Sequence, residues 1–157
     1  MRRLLLTAAL MAGTMGLAQN AGPTNLKGLQ LCLRNDDIAI DKNAKQIDTE
    51  ARQAFARVVA TKLSAYRILY RDGLCLNKGS GNIIISVNTL DGVNGALFYT
   101  VDFEVYDLFL TPGVTSIYRS TIMGYTHSTG QTLATRMNTT IGELIDQFAA
   151  DYAKANP

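Results

Sequence analysis

The chain has 157 residues, 47% apolar and 18% charged, with 15 Lys plus Arg against 13 Asp plus Glu, one His, two Cys and no Trp. That is enough apolar material for one packed domain and too much for a disordered segment. The near balance of charge leaves no basic footprint for a phosphate backbone, which excludes nucleic acid and an anionic membrane surface as expected partners.

The start, MRRLLLTAALMAGTMGLAQNAGP, places Arg2 and Arg3 before an apolar run reaching Leu17, with the small residues Gly16 and Ala18 two apart. This is the pattern of a secretory signal peptide cut after Ala18. Its apolar run of about 14 residues is shorter than the ~20 that a bilayer-spanning helix needs, and no later stretch is long and charge-free enough to span. No cysteine directly follows the small residues, so no lipid anchor is expected. The reading is a signal peptide over 1–18, a flexible leader over 19–27 and a single domain over 28–157. Removing Arg2 and Arg3 from the 15 basic residues leaves 13, equal to the acidic count, so the exported chain is neutral.

From Leu29 the alternation of Leu29, Leu31 and Leu33 with Gln30, Cys32 and Arg34 predicts a half-buried strand. Asn35-Asp36-Asp37 and Asp41-Lys42-Asn43 are turn-forming, with Ile38 to Ile40 a short extension between them. Ile47, Ala51, Phe55, Val58, Val59 and Leu63 recur every three or four residues and predict an amphipathic helix. Tyr66–Tyr70 and Leu74–Leu76, around the turn Arg71-Asp72-Gly73, read as an interrupted second strand. A third strand follows with Ile83, Ile85 and Val87 on one side, then a hairpin loop over 91–95. The fourth puts Leu97, Tyr99, Val101, Phe103 and Val105 on one face and Phe98, Thr100, Asp102, Glu104, Tyr106 and Leu108 on the other. Its length predicts a bulge or bend. The fifth, TSIYRSTIMGYT, has two faces that the pattern does not rank. Leu133, Met137, Ile141, Leu144, Ile145, Phe148 and Tyr152 predict a second helix, starting near Gln131 or, if Thr140 and Glu143 form a capping box, near Thr140. Two one-sided helices and one-sided strands predict an α+β fold: a two-layer sandwich with both helices on one face of a four- to five-stranded, mainly antiparallel sheet. The first strand, first helix and second strand would form a crossover unit, and the rest a meander.

The order β-α-β-β-β-α, with an N-terminal strand and a long helix leading into YRILYRDG (66–73), resembles the small bacterial envelope domains of the TolB N-terminal, LptE and LpoB kind. The tail ELIDQFAADYAKANP is similar to the ends of many small exported bacterial proteins. The resemblance implies fold and a cell-envelope setting rather than an activity. The chain departs from the lipoprotein members in lacking the lipid-bearing cysteine.

Few residues point to chemistry. His127, the lone histidine, has Ser128 beside it in sequence, which is not triad geometry, and one histidine with two cysteines makes a poor metal set. Asn35, Asp36, Asp37 and Asp41 lack the spacing of a calcium loop and read as turn and capping residues. Asp102 and Glu104 lie two apart on one strand face, in the manner of a glycosidase carboxylate pair, but no tryptophan platform accompanies them and a solvated face is the plainer reading. Asn138-Thr139-Thr140 fits a glycosylation sequon within an expected helix, and Gly79, Gly81, Gly92 and Gly95 read as hairpin glycines rather than a phosphate loop. No catalytic, cofactor or metal residue is therefore expected.

The cysteines lie 43 residues apart, each between two leucines in an expected strand. With the leucines toward the helices, both sulfurs emerge on the opposite side, so Cys32 and Cys75 are expected to form a cross-strand disulfide in an oxidising compartment. The aromatic and apolar residues of the outer face, Phe98, Tyr106 and Leu108, are the expected partner surface. Together these readings predict an exported, periplasmic or envelope-associated, non-enzymatic binding or structural protein. An accessory subunit of an envelope assembly, meeting a protein partner or a second copy, is the first expectation. A small-molecule or lipid binder with a pocket between helices and sheet is the alternative.

Overall fold

A computed structural model of the chain describes residues 23–40, 49–111, 113–127 and 130–157. The expected signal peptide and the leader up to Gly22 lie outside these residues. The elements run as a 3-10 turn (Pro23–Leu26), β1 (Gln30–Ile40), α1 (Thr49–Ala65), β2 (Tyr70–Asp72), β3 (Ser80–Asp91), β4 (Leu97–Thr111), β5 (Gly113–Thr126) and α2 (Gly130–Ala155). They form an α+β fold with a five-stranded mixed sheet in the order β2-β1-β3-β4-β5. The long β3–β4 and β4–β5 ladders are antiparallel, whereas β1 pairs with both β2 and β3 in parallel. β1, α1 and β2 thus make the expected crossover and β3, β4 and β5 the meander.

One face of each strand supplies the core. Leu31 and Leu33 of β1, Ile83, Ile85 and Val87 of β3, and Val101, Phe103 and Val105 of β4 are buried together with Phe55, Val59 and Leu63 of α1 and Met137, Ile141, Leu144 and Phe148 of α2. α1 packs on β1, α2 on β4 and β5, and the helices on each other. Phe148 holds the centre, its ring 4.9 Å from that of Phe103 and 5.1 Å from that of Tyr118. Burial, then the charge of Asp151 beside its hydroxyl, pushes the Tyr118 phenol far above its ordinary range. The helices are joined by Lys62, which donates to both carboxylate oxygens of Asp146 at 2.6 and 2.7 Å, and by Tyr66, which donates to the same carboxylate at 2.7 Å. Gly142 permits this contact, because a Cβ there would stand 3.3 Å from the Lys62 Cε.

Three sequence expectations need correction, and the second helix takes the earlier of its two expected starts. The turn expected at Asn35-Asp36-Asp37 is inside β1: the β1–β3 register shifts between Leu33 and Ile38, so the polar residues are absorbed in a bulge. Leu74-Cys75-Leu76 is not strand. The chain leaves β2 at Asp72 on one side of β1 and starts β3 at Ser80 on the other, so residues 73–79 cross β1. The second helix starts at Gly130, and Thr140 is mid-helix, donating its hydroxyl to the Arg136 carbonyl at 3.1 Å rather than capping. The leader is also shorter than expected, since Leu26 is fully buried. Asn156 clamps this segment at the end of α2: its amide donates to the Leu26 carbonyl at 3.1 Å and accepts from the Gly28 N–H at 2.8 Å. The bulge opposite Val105 and Tyr106 is in β5, where Ile117 is the extra residue, and the irregularity expected in the fourth strand falls between Asp107 and Thr111.

Candidate functional site

Strand register arranges the sheet face away from the helices in rows. Cys32, Asn82 and Tyr106 form one row, Ile84, Glu104 and Arg119 the next, then Ser86, Asp102 and Thr121, then Asn88, Thr100 and Met123, and finally Leu90, Phe98 and Tyr125. The rows change from covalent and buried at one end, through charged, to apolar and exposed at the other.

At the first end Cys32 and Cys75 are disulfide-bonded, with Cα atoms 5.8 Å apart. The bond ties the segment that crosses β1 to the strand beneath it, rather than joining two strands. Asn82 on the neighbouring β3 completes the attachment. Its Oδ1 accepts from the Cys75 N–H at 2.8 Å and its Nδ2 donates to the Cys75 carbonyl at 3.0 Å. A buried amide and a buried backbone unit with no strand partner thereby satisfy each other. Sequence reasoning missed Asn82, whose position between strand-forming residues gave no sign of this role.

In the middle, Asp102 and Glu104 are taken up by one guanidinium. Arg119 donates from one terminal nitrogen to Asp102 at 2.9 Å and from Nε to Glu104 at 2.8 Å, while Thr121 donates to Asp102 at 2.6 Å. Both carboxylates are nearly buried and the arginine lies over them, half exposed. Burial raises the Glu104 carboxyl above its ordinary value, the Arg119 charge works against this, and the Asp102 charge adds to it. The hydrogen bond to Asp102, then the Glu104 charge, raises Arg119. A carboxylate pair crossed by its own arginine is a structural clamp, not a waiting acid and base.

At the far end Leu90, Phe98, Met123 and Tyr125 are exposed by 71%, 51%, 43% and 51%. The Phe98 and Tyr125 ring centroids are 6.4 Å apart. Of the residues expected to make a partner surface, Phe98 belongs to this group, whereas Tyr106 and Leu108 are half-buried toward the other end of β4. Eight residues of strand, about 27 Å, separate Tyr106 from Phe98. The structure therefore does not bring the three together, and Leu90, Met123 and Tyr125 join Phe98 instead.

On the helix side, an open cleft of about 620 Å³ runs between α2 and β5, lined among others by Tyr99, Gly124, His127, Arg136, Thr139 and Glu143. The Arg136 guanidinium lies over the Tyr99 ring, 5.9 Å from its centroid, and its Nε is 3.4 Å from the Tyr99 hydroxyl. Gly124 is required here, since a Cβ would stand 2.5 Å from that hydroxyl. His127 is exposed at the cleft mouth. Asn138-Thr139-Thr140 lies within α2, and Asp41 lies outside the described residues. Among the described residues no group of three or more His, Cys, Asp or Glu is placed to hold a metal ion, and no helix is long and apolar enough to cross a membrane.

Fold and site define an α+β domain whose outer sheet face is bridged at one end and apolar at the other. No protein-family model matches the chain, and no curated protein matches it. Among solved structures, the chain is similar to a dodecameric PelC variant from Paraburkholderia phytofirmans, at 18% identity and TM-score 0.48, over 83% of this chain and 95% of that one.

Proposed function

We propose that this chain is an exported, non-enzymatic binding protein that serves as an accessory subunit of a bacterial envelope assembly, and that it meets a protein partner through the apolar end of its outer sheet face. The observation that carries the reading is the group Leu90, Phe98, Met123 and Tyr125, four large apolar side chains exposed side by side across three strands. Scattered exposed apolar residues are ordinary, but a contiguous group marks a contact surface. The two-layer arrangement belongs to the same proposal: with both helices on one face of the sheet, the other is available to a partner. Export is supported by the N-terminal pattern and by a disulfide of the kind that persists in oxidising compartments. The non-enzymatic reading is supported by the Arg119 clamp, which occupies the one carboxylate pair that the sequence offered. A small-ligand pocket between helices and sheet has less support, because Phe55, Phe103, Met137 and Phe148 fill the interior and the cleft between α2 and β5 is open at the sheet edge.

Photo-crosslinking in the native envelope tests the proposal. A photoreactive residue at Phe98 is expected to capture one defined protein that the same residue at the exposed Arg57 of α1 does not, and Tyr125→Asp is expected to abolish the capture with an unchanged circular dichroism spectrum. Equal capture from both positions, or none, overturns it.

A further inference from the structure

The sheet has two edges that differ in kind. β2 is three residues long and carries exposed Arg71 and Asp72, a short charged edge of the sort that resists pairing. β5 is 14 residues long, holds neither Pro nor Lys, and its one charged side chain, Arg119, is drawn back over β4 by Asp102 and Glu104. As the last strand of the order, β5 turns half of its N–H and C=O groups away from β4. The 3-10 turn also touches β5, but the Asn156–Leu26 and Tyr118–Asp151 bonds place that contact at the Tyr118 end, leaving residues 121–125 to one side.

We infer that this edge pairs with the same edge of a second copy, about a two-fold axis at Met123, to make a continuous ten-stranded sheet. The charges on α2 place the axis, and the strand admits it. The strand pairs with itself antiparallel wherever the axis falls. On α2, Arg136 and Glu143 are both exposed on the cleft side two turns apart, so an antiparallel second α2 centred between Thr139 and Thr140 puts Arg136 of each copy opposite Glu143 of the other. These centres coincide in space. Ser120 donates to Gln147 at 2.8 Å, and Arg136 reaches Tyr99, whose strand partner is Gly124. Interpolating between those anchors at about 1.5 Å per helical residue and 3.4 Å per strand residue brings the Thr139–Thr140 step level with Met123.

The spacing agrees as well. α2 lies over β4 and β5 alike. Its axis is then about half a strand spacing inside β5, and the two-fold another half spacing outside it. Two copies bring their α2 axes about 10 Å apart, a separation at which helices pack. The second α2 fills the cleft between α2 and β5, with the small Thr139 at the crossing. On the outer face Met123 meets Met123 and Tyr125 of each copy lies by Thr121 of the other, so the exposed apolar group continues across the seam. A two-residue slip displaces the second helix by about 7 Å and separates the charge pairs, so they fix the register.

Sedimentation velocity on the signal-free chain, up to about 100 μM where a micromolar contact is populated, tests this. The chain is expected to be dimeric. Glu143→Arg and Arg136→Glu are each expected to weaken the dimer by about tenfold or more through like-charge contact, and the double swap R136E/E143R to restore it. Met123→Cys is expected to give a covalent dimer on mild oxidation. A monomer at the highest concentration overturns the inference. So does a dimer indifferent to both single reversals, or a double swap as weak as the singles. A monomer that instead accepts an extended peptide along β5 overturns self-pairing in favour of a different occupant.

Discussion

Replacing both Cys32 and Cys75 with Ala removes one covalent tie and two small buried side chains, and its effect follows from where the tie is. The bridge closes a loop of sequence separation 43 that contains all of α1 and β2. In the chain-entropy model, closing a loop of that size lowers unfolded-state entropy by about 13 cal/mol/K, about 4 kcal/mol at 25 °C. Asn82 still holds the Cys75 backbone through two hydrogen bonds, so the native position of the crossing segment survives the substitution and the loss is felt mainly in the unfolded chain. For a domain of this size, 4 kcal/mol corresponds to a fall in Tm of roughly 12–16 °C. Urea and thermal denaturation followed by circular dichroism, on the oxidised protein and the double variant, measure it. A loss under about 1 kcal/mol, with the folded spectrum kept, would refute the reasoning, because the tie would then be constraining a loop that is already closed in the unfolded ensemble.

Two ionisable groups predict opposite pH responses. Burial opposes ionisation of Asp146, but the hydrogen bonds from Lys62 and Tyr66 and the Lys62 charge outweigh it and hold the carboxyl below its ordinary value. Its contribution is therefore present above the ordinary aspartate range, near pH 4, and is lost as pH falls through the folded value. Asp146→Asn should be less stable at pH 7 by at most about 1 kcal/mol, since the carboxylate is 42% exposed, and should lose less on acidification; equal acid sensitivity would contradict this. Glu104 behaves in the other sense: its raised value gives stability below the ordinary glutamate range that is lost as pH rises through the folded value. Glu104→Gln should leave the urea midpoint at pH 7 unchanged or higher despite deleting an ion pair to Arg119, and a loss above about 1 kcal/mol would mean that the pair outweighs the burial.

What the sequence discloses depends on how one-sided each element is. Both helices and the core face of β4 are plain in the spacing of their apolar residues because one side of each is buried and the other wet. β5 is not, because its helix-facing side includes Ser120, which bonds Gln147, and Gly124, which makes room for the Tyr99 ring. Neighbours chosen for contact, not for hydrophobicity, erase the alternation, and with it the signal for Met123 and Tyr125. Leu74-Cys75-Leu76 misleads in the opposite way: it alternates like a strand, yet Leu74 and Leu76 are exposed while Cys75 is pinned to the segment's one covalent partner. Side-chain ties across a loop, such as Asn82 to the Cys75 backbone seven residues away, leave no periodic mark.

The Asn156 clamp carries a consequence for orientation. By holding Leu26 and Gly28 to the end of α2, it gathers the entry and exit of the chain at the pole where β1 begins. Leu90, Phe98 and Tyr125 crown the opposite pole. A tether attached after Pro157, whether to a bilayer, a resin or a neighbouring domain, would therefore hold the molecule like a mushroom by its stalk, with the aromatic group at the far end.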